Sequence, residues 1–514
     1  MLKDRVAEFV SRSLNGRRIQ RRKCKFIHDP LWGTIEISNL EAEILDTPLL
    51  QRLKQIHQTG FVYQTFPSAR HTRFDHTLGV MHLAGRIAET LGKKFKNFAD
   101  RKSIQKVRLA ALMHDTGHSA FSHTSEEVYA NCPDMIEFKE RNPEFANSGA
   151  GEILSFLITT SDPFREYFER IRKTLGKENV YVEVDDFAKL ILGKATNPKK
   201  QFEAEIISGP FDADKLDYFP RDGRSAGFQL TLDFERLLHC MEIAEIDNLS
   251  GNKTAILIVN RGGFNPIQQL LFARATLFAT VYHHQKVRAC DAMVKCCFEH
   301  FRENKLPFRK APGFKDGVSL ESAADYLSIT DYDFFAEAAL HAEDTFQHRL
   351  ISNLCQRKLF KRVLSISSRT IEGFHDDKKQ PLRYRRLLDM IELPEKLRAM
   401  ALEILAKSGA ECTSSEVWLD IPTTPSFAKA GNARIRIHPG KGPETLMKLS
   451  KFIPVEKWVE TYTQWYSQCY LFGPEDRKER IALARAAITL FQSRLKLRLM
   501  KEAVAEDIRD KVFP

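Results

Sequence analysis

A histidine and an aspartate stand side by side at His114 and Asp115, inside the stretch LMHDTGHSAFSH. Another histidine lies upstream at His76, and an acidic cluster lies downstream in FDADKLDYFPRD. Imidazole nitrogens combined with carboxylate oxygens suit Mn, Fe, Zn or, more weakly, Mg. A site with few protein ligands leaves positions open for water and a phosphate oxygen, so this pattern predicts a hydrolytic divalent-metal enzyme.

The alternative interpretation is structural, because a single histidine is more often a hydrogen-bonded polar side chain than a metal ligand. Here His118 and His123 follow on the same turn-rich segment, between small and aromatic residues. Packing alone gives no reason to gather so many titratable groups beside Ala and Phe. Metal binding is therefore the stronger interpretation.

Two predicted helices position these residues. Apolar residues recur at helical spacing from about residue 74 to 95 and from about residue 102 to 115. His76 would lie in the first turn of one helix, and His114 and Asp115 in the last turn of the next. Consecutive side chains project about 100° apart on a helix, so adjacent ligands reach one ion most easily where the helix ends.

The remaining pattern is mostly helical. It predicts a helix that opens at Thr47-Pro48, a long and mostly buried helix over 264–302, a two-stranded appendage near 416–440, and a charged helical tail from Pro474. The expected domains are a basic N-terminal arm (1–24), a catalytic core (25–310), a C-terminal helical lobe with a short β appendage (311–473) and a helical tail (474–514). The predicted fold class is mainly α, with a small α+β C-terminal appendage.

Composition excludes several classes of protein. The 514 residues are 43% hydrophobic and 28% charged, which is ordinary for a globular protein, and no apolar run approaches the roughly 18 residues that span a membrane. Nine cysteines form no paired framework, and no secretory pattern opens the chain. We expect a cytoplasmic protein with no membrane partner.

The basic arm is the main charge feature. Residues 1–30 hold nine Lys or Arg against three Asp or Glu, in a chain of net charge +11. Such an arm could bind nucleic acid, a nucleotide polyphosphate or an acidic neighbour in an oligomer. A solvated terminal face is the alternative.

Taken together, the motifs resemble those of HD-superfamily phosphohydrolases, specifically the deoxynucleoside triphosphate triphosphohydrolase branch. The resemblance begins near IHDPLWGTIEI and ends in the DIPTTP region, passing through DTPLLQRLKQIHQTG, FPSARHTRFDHTLGV, HDTGHSAFSH, DADKLDYFPRD and RATLFATVYHHQKV in family order. It implies an HD-domain helical core. It also implies that His76, His114, Asp115 and Asp214 are the metal ligands.

The resemblance places further residues in catalysis. It implies that His118 and His123 lie beside the α-phosphate, where an imidazolium stabilises developing charge and donates a proton to the leaving nucleoside oxygen. Glu126 matches an acidic position that orients His123 or activates water, and a surface helix acid is its alternative interpretation. The chain departs from some family members at Gly151, where they have a histidine. Either the His123 and Glu126 pair suffices, or the proton route differs, or activity is reduced.

Substrate contacts are also implied by the resemblance. Arg73 and Lys215 match residues that contact the triphosphate, and Arg274 is a further candidate. Gln58 and Asp222 match residues that hydrogen-bond the sugar 3′-hydroxyl. Tyr218 and Tyr282 would form a wall that leaves no room for a 2′-hydroxyl, while His283 stands where relatives often carry Gln.

A guanine nucleotide effector site is a further implication. Lys25, Asp46 and Gln51 match effector-binding positions, but Lys54 replaces an expected Arg and His28 an expected Asn. An ammonium cannot stack or fork as a guanidinium does, so effector binding could be absent or altered. Relatives form oligomers, and a homo-oligomer is expected here by resemblance.

The sequence thus predicts hydrolysis of a deoxynucleoside triphosphate to deoxynucleoside and inorganic triphosphate. One alternative is a related phosphohydrolase or phosphodiesterase that acts on another nucleotide or on single-stranded nucleic acid. The other is a nucleic-acid-binding or assembly module in which the basic arm carries the function. Salt dependence of binding would indicate the latter.

Overall fold

The computed structural model describes residues 1–20, 24–96, 98–176, 181–247, 253–422, 431–437 and 445–513. The mainly α fold class is confirmed. The α-helices up to residue 240 are α1 (Leu2–Leu14), α2 (Asn39–Leu45), α3 (Pro48–Gln51), α4 (Arg73–Lys94), α5 (Arg101–Met113), α6 (His123–Tyr129), α7 (Pro133–Arg141), α8 (Ala150–Thr160), α9 (Asp162–Leu175), α10 (Val184–Ile191), α11 (Gln201–Ile207), α12 (Ala213–Ser225) and α13 (Phe234–Cys240).

The later α-helices are α14 (Phe264–Leu277), α15 (Gln285–Glu303), α16 (Asp331–Glu337), α17 (Phe346–Cys355), α18 (Lys379–Leu388), α19 (Pro394–Ser408), α20 (Val455–Tyr466), α21 (Arg477–Leu495) and α22 (Arg509–Val512). The strands are β1 (Lys25–Asp29), β2 (Gly33–Ile37), β3 (Met241–Asp247), β4 (Lys253–Asn260), β5 (Lys361–Ile366), β6 (Trp418–Asp420), β7 (Arg434–Ile437), β8 (Thr445–Lys448) and β9 (Cys469–Gly473). Within the described residues, no helix is both long enough and apolar enough to cross a membrane.

The two helices that carry the candidate ligands were predicted correctly, to within two residues at each end. A capping box starts α4, because the Thr72 hydroxyl accepts the Asp75 N–H while the Asp75 carboxylate accepts the Thr72 N–H. Asp100 caps α5 through the Ser103 N–H. Apolar faces of α4 and α5 pack along each other, and α12 packs against α4. This arrangement brings three separate stretches of sequence to one place.

The predicted long helix over 264–302 is wrong as a continuous element. A π-helical segment, Phe278–Tyr282, follows α14, and a new helix begins at Gln285 with His284 as its N-cap. A π-helical segment has i→i+5 hydrogen bonds and so interrupts the α-helical hydrogen-bond pattern. Apolar residues nevertheless continue through it, which is why the sequence pattern predicted one helix. The helix predicted from Thr47-Pro48 is similarly short, since α3 ends at Gln51 and a 3₁₀ turn follows over Arg52–Gln55.

The predicted two-stranded appendage near 416–440 is also wrong in its pairing. β6 pairs with β9 in a three-stranded sheet of order β5-β9-β6. β7 instead joins a four-stranded sheet of order β3-β4-β7-β8, parallel to β4 and antiparallel to β8. Alternation identifies strands but not their partners, which lie far along the chain. Part of the predicted region, including the end of DIPTTP, lies outside the described residues.

The N-terminal arm is partly a packed helix. Apolar residues on one face of α1 are buried, among them Val6, Phe9 and Val10. Its cations also have partners: Arg5 pairs with Asp325 at 2.9 Å, and the Arg17 guanidinium donates to the carbonyl of Asp46 at 2.5 Å. Arg21, Arg22 and Lys23 lie outside the described residues. Binding of nucleic acid by this arm stays a prediction.

The chain divides into two compact units. The first contains Met1–Leu277, Pro307–Ala336 and Phe427–Val455, and the second contains Phe278–Leu306, Glu337–Ser426 and Glu456–Pro514. The second unit has its own apolar core, formed where the three-stranded sheet packs with helices such as α19 and α21. The metal-ligand candidates all belong to the first unit.

A carboxyl in the first unit makes stability depend on pH. Burial raises the pKa of Glu205 on α11 to about 7, although its carboxylate accepts the Leu257 N–H of β4. The folded pKa of Glu205 lies above its usual value of 4.5. The contribution of Glu205 to the free energy of unfolding is therefore fully present below pH 4.5 and is lost as pH rises from there through about 7. We expect Glu205→Gln to gain about 2 kcal/mol over the native chain between pH 5.5 and pH 8, measured by urea unfolding. The exposed Glu166→Gln is the control, and an equal gain there would contradict the assignment.

Candidate metal centre and active site

The metal-ligand candidates converge from α4, from α12 and from the turn that follows α5. One ligand atom from each of His76, His114 and Asp214 lies within 4.8 Å of the others. The closest approach is 3.0 Å, between His76 Nε2 and Asp214 Oδ1. Asp115 completes the group, with Oδ1 3.4 Å from His114 Nε2 and Oδ2 3.8 Å from His76 Nε2. The chain therefore places two imidazoles and two carboxylates around one point.

Both imidazoles present the correct nitrogen to that point. His76 Nδ1 donates to Asp217 Oδ2 at 2.8 Å, and His114 Nδ1 donates to the Ala111 carbonyl at 2.6 Å. Among the described residues the buried Nε2 of His114 has no hydrogen-bond partner, while that of His76 faces Asp214 Oδ1 at 3.0 Å. A histidine that donates from one nitrogen offers the lone pair of the other to a metal. Both Nε2 atoms therefore fit a divalent ion that Asp214 also binds.

The electrostatics agree with this fit. Burial opposes a charge on His76, yet Asp214, Asp217 and Asp115 outweigh it and raise its pKa to about 10. Burial likewise opposes ionisation of Asp214, but His76, His114 and Lys215 lower its pKa to about 2. Carboxylates that attract a proton so strongly also attract a metal cation, which binds with release of that proton.

Asp217 supports His76 from the side opposite the ligand cluster. It lies one helical turn after Asp214 on α12, is fully buried, and also accepts hydrogen bonds from Arg221 and Trp32. A Cβ on Gly79 of α4 would lie 1.9 Å from Asp217 Oδ1, so only glycine admits this contact. The acidic cluster of the sequence contains both Asp214 and Asp217. Their spacing alone did not show that Asp217 hydrogen-bonds a ligand histidine whereas Asp214 lies among the metal-ligand candidates.

We expect Asp217→Asn to weaken Mn²⁺ binding by about 10- to 100-fold, because the amide no longer orients His76 as a charged acceptor does. Calorimetric titration of the metal-stripped protein with Mn²⁺ measures this. Asp29→Asn is the matched control, since Asp29 pairs with the same Arg221 at 2.9 Å without contacting His76. Equal losses in the two variants would assign the effect to Arg221 rather than to His76.

Arg73 lies against the ligand Asp115. Its NH1 donates to Asp115 Oδ2 at 2.7 Å and its Nε to Ser122 Oγ at 2.8 Å, while its buried NH2 has no hydrogen-bond partner in the part of the chain that the structure describes. Burial raises the pKa of Asp115, but the Arg73 guanidinium and the neighbouring His114 and His118 rings hold it well below its usual range. The remaining guanidinium nitrogen is available to a phosphate oxygen.

The catalytic candidates form a second cluster. His118, His123 and Glu126 each place one ligand-type atom within 4.8 Å of the others. His123 is 72% exposed and its Nδ1 lies 2.8 Å from Glu126 Oε2. Burial and the charge of Arg73 lower the pKa of His118 to about 4. His118 is therefore neutral at pH 7, unlike the imidazolium expected from the resemblance, and His123 is the histidine open to solvent.

Gly151, at the position where the resemblance led us to expect a histidine, makes a backbone contact with Glu126. Its N–H, near the start of α8, donates to Glu126 Oε1 at 2.8 Å. A Cβ there would lie 2.9 Å from His118 Cε1 and 3.2 Å from Glu126 Oε1. Burial opposes ionisation of Glu126, but His123, His118 and the Gly151 N–H together lower its pKa far below the usual value. Glu126 is thus a partly buried carboxylate held between an amide and His123.

The substrate candidates of the first unit have polar partners. Lys215 Nζ donates to Asp212 Oδ2 and to the Gly209 carbonyl. Asp222 Oδ1 lies 2.7 Å from His71 Nε2, and the Gln58 N–H donates to the His71 carbonyl at 3.0 Å. His71 therefore links the two residues assigned to the sugar hydroxyl. It carried no signal of its own in the sequence.

The aromatic candidates divide between the two units. The Tyr218 ring centroid lies 6.4 Å from that of His76, and the charge of nearby Arg274 partly offsets the burial that raises the Tyr218 pKa. The phenol of Tyr218 is therefore neutral. Tyr282 ends the π-helical segment in the second unit, where its ring lies edge-on to Phe278 at 5.1 Å.

The effector candidates are only partly assembled. Lys25 Nζ donates to Asp46 Oδ2, and Gln51 Nε2 donates to the Leu45 carbonyl at 2.9 Å. Lys54 instead places its ammonium 4.5 Å from the Phe74 ring centroid, as a cation–π contact. Lys25 thus contacts Asp46 directly, and Gln51 contacts the residue before it.

Comparison with protein families gives two matches. A family described as HD domain matches residues 73–201, and one described as HD associated region matches residues 232–496, more than half of the chain. The HD-domain match contains α4, α5 and the turn that follows α5, so it covers His76, His114 and Asp115.

Curated relatives match about two thirds of the chain. An uncharacterized protein of Methanocaldococcus jannaschii is 32% identical over 67% of this chain and 60% of its own length. The deoxynucleoside triphosphate triphosphohydrolase SAMHD1 of Homo sapiens is 27% identical over 66% of this chain and 55% of its own length. A SAMHD1 homolog of Dictyostelium discoideum is 26% identical over 67% and 60%. The matches thus span between 55% and 60% of these relatives.

Proposed function

Since this chain belongs to the HD-domain family and also contains an HD associated region, we propose that it is a metal-dependent phosphohydrolase. It would cleave deoxynucleoside triphosphates to deoxynucleoside and inorganic triphosphate. The observation that carries the proposal is the convergence of the buried Nε2 atoms of His76 and His114 on Asp214, where the His114 nitrogen has no hydrogen-bond partner among the described residues. A buried nitrogen without a hydrogen bond is costly unless a ligand completes it. A divalent ion bound there would polarise a phosphate oxygen and make water more acidic.

The chain's own residues supply binding and proton transfer. Arg73, with one unpartnered guanidinium nitrogen, and Lys215 would hold triphosphate oxygens. His123 would protonate the 5′-oxygen of the nucleoside as its bond to the α-phosphorus breaks. Glu126 would orient His123 through the 2.8 Å contact with Nδ1, leaving Nε2 to face the substrate. Neutral His118 would donate a hydrogen bond to an α-phosphate oxygen.

Sugar selection would depend on the polar group around His71. Asp222, held by His71, and Gln58, whose buried Oε1 has no hydrogen-bond partner, offer acceptors for a 3′-hydroxyl. Tyr218, packed near His76, would fill the space that a 2′-hydroxyl needs. The similarity to proteins named deoxynucleoside triphosphate triphosphohydrolase supports this choice of substrate over a monophosphate or an oligonucleotide.

Product analysis tests the proposal. The purified chain is incubated with each of the four deoxynucleoside triphosphates and the four ribonucleotides, in Mn²⁺ or Mg²⁺, with and without GTP. Intact triphosphate and free deoxynucleoside, resolved by ion chromatography, are the expected products. Release of orthophosphate or pyrophosphate instead, or turnover confined to oligonucleotides, would favour the related phosphohydrolase alternative.

The GTP arm of the same experiment tests the effector. We propose that Lys25, Asp46 and Gln51 form a guanine nucleotide site whose affinity is low because Lys54 lies over Phe74. Turnover would then rise with millimolar rather than micromolar GTP. Light scattering with and without GTP tests the homo-oligomer that we propose from the family resemblance. A turnover that is independent of GTP at every concentration would remove the effector from the proposal.

A further inference from the structure

The turn between α5 and α6 contains two consecutive non-glycine residues with left-handed backbone. Phe121 and Ser122 both have φ of +57°, and Ser122 has ψ of −119°. Side chains other than glycine rarely adopt such angles, and they persist only where surrounding contacts impose them. Residues 118–123, here called the histidine turn, contain no glycine that would relieve this strain.

The histidine turn sets three groups of the proposed active site. His118 and His123 are its first and last residues, and Ser122 is the N-cap of α6. Ser122 Oγ accepts from Arg73 Nε at 2.8 Å and donates to the His57 carbonyl at 2.6 Å. Relaxation of Phe121 and Ser122 to ordinary angles would therefore move His123 and release Arg73.

A segment about 200 residues downstream holds the turn in place; residues 326–331 are here called the clasp. The Ser119 hydroxyl donates to the Tyr326 carbonyl at 2.6 Å, and the Ala120 N–H donates to the Ile329 carbonyl at 3.2 Å. Asp331 Oδ1 accepts the Phe121 N–H at 2.7 Å. The clasp thus binds three successive residues of the turn.

Asp331 also joins the turn to the loop that carries His57. Its Oδ2 accepts the backbone N–H of His57 at 2.9 Å and lies 2.6 Å from His57 Nδ1. The Asp331 side chain is 2% exposed, so its charge is compensated by these contacts alone within the described residues. The Asp331 carboxylate therefore fixes two residues that contact Ser122. One is Phe121, which precedes Ser122 in the chain, and the other is His57, whose carbonyl accepts the Ser122 hydroxyl.

We propose that Asp331 is a positioning residue of the phosphohydrolase, which holds the histidine turn in its strained form so that His123 and Arg73 face the substrate. This inference rests on the proposed function for its effect on turnover, but the clasp itself does not. Asp331 lies outside the HD-domain match and inside the HD-associated region, so the second family segment would complete the catalytic geometry of the first.

The test compares Asp331→Asn with Asp325→Asn. In Asp331→Asn an NH2 group replaces one of the two carboxylate oxygens. That position can no longer accept, so the hydrogen bond to either Phe121 or His57 is lost. We expect kcat to fall about 30-fold while KM and bound Mn²⁺ change less than threefold, because misplaced catalytic groups slow chemistry more than they weaken binding. Asp325 is equally buried, but its carboxylate contacts Ser322 and Arg5 rather than the turn, so Asp325→Asn should keep kcat within about twofold of the native value.

Two further readouts separate positioning from general destabilisation. Amide hydrogen exchange in a peptide spanning residues 117–124 should quicken at least about tenfold in Asp331→Asn and stay unchanged in Asp325→Asn. In a His123→Ala background, Asp331→Asn should cost less than about threefold in kcat, because the proton donor that it positions is already absent and only its effect through Arg73 remains. If the losses in kcat of the two single variants multiply in the double variant, the two residues act independently and the positioning role is overturned.

Three further outcomes would also test the role of Asp331. Unchanged exchange and unchanged kcat in Asp331→Asn would refute the inference. If that variant does not fold, Ser119→Ala, which removes one clasp contact, should lower kcat about fivefold with KM unchanged, and native behaviour would refute it equally. If the native chain hydrolyses no deoxynucleotide, the proposed function fails, while the exchange measurement still reports whether Asp331 holds the turn.

Discussion

Asp214→Ala should lose both bound metal and turnover, with triphosphate release falling at least about 10³-fold. Asp214 Oδ1 lies 3.0 Å from His76 Nε2, and the charges on His76, His114 and Lys215 keep its carboxylate ionised. Without it, only Asp115 remains as an anionic ligand beside the two imidazoles, and Asp115 already pairs with Arg73. The site then keeps too little negative charge to retain a divalent ion.

Metal content and thermal shift measure this independently of activity. After dialysis against micromolar Mn²⁺, the native protein should hold close to one ion per chain and Asp214→Ala less than about a tenth. Mn²⁺ at 100 times its Kd should stabilise the native protein by about 2.7 kcal/mol and leave the variant unmoved. Asp233→Ala, which removes an exposed N-cap carboxylate of α13, is the control. Full metal content in Asp214→Ala would require another ligand set.

His123→Ala should lower kcat by about 10²- to 10⁴-fold while KM changes less than threefold, the result expected when a proton donor is removed. His123 lies outside the ligand cluster and is 72% exposed, so the protein should fold and keep its metal. Glu126→Gln should cost about tenfold, because the amide still bonds Nδ1 but no longer stabilises a positive imidazole.

Combining the two substitutions tests the assignment. His123→Ala with Glu126→Gln should be no slower than His123→Ala alone, since Glu126 would act through His123. His239→Ala, another exposed histidine of the first unit, should leave kcat unchanged. A further loss in the double variant would instead assign Glu126 a direct role, such as activating water.

Local signals in the sequence were sufficient for many elements. Apolar spacing located α4 and α5 because it is a property of neighbouring residues, and the structure adds the caps Thr72 and Asp100 at their starts. The same reasoning failed over 264–302, where an apolar stripe continues across the π-helical segment. It failed again for β6 and β7, whose partners β9 and β4 are distant in sequence and leave no local trace.

The active-site candidates show the same division. His76, His114, Asp115 and Asp214 were identified from residue type and from resemblance, and the structure brings them together. The neutral state of His118 could not be read from its motif, because burial and the charge of Arg73 determine it. Chain-specific Gly151 became interpretable only once its N–H was seen to bond Glu126.

The sequence by itself determined the chemistry that this protein can carry, since imidazole and carboxylate groups at these positions are covalent facts of the chain. The tertiary structure alone decided which nitrogen of each imidazole is free, which carboxylates support rather than bind, and that Asp331 lies against Phe121. Those properties depend on burial, on the charges of neighbouring side chains and on hydrogen bonds between residues distant in sequence. They arise only when segments distant in sequence pack together.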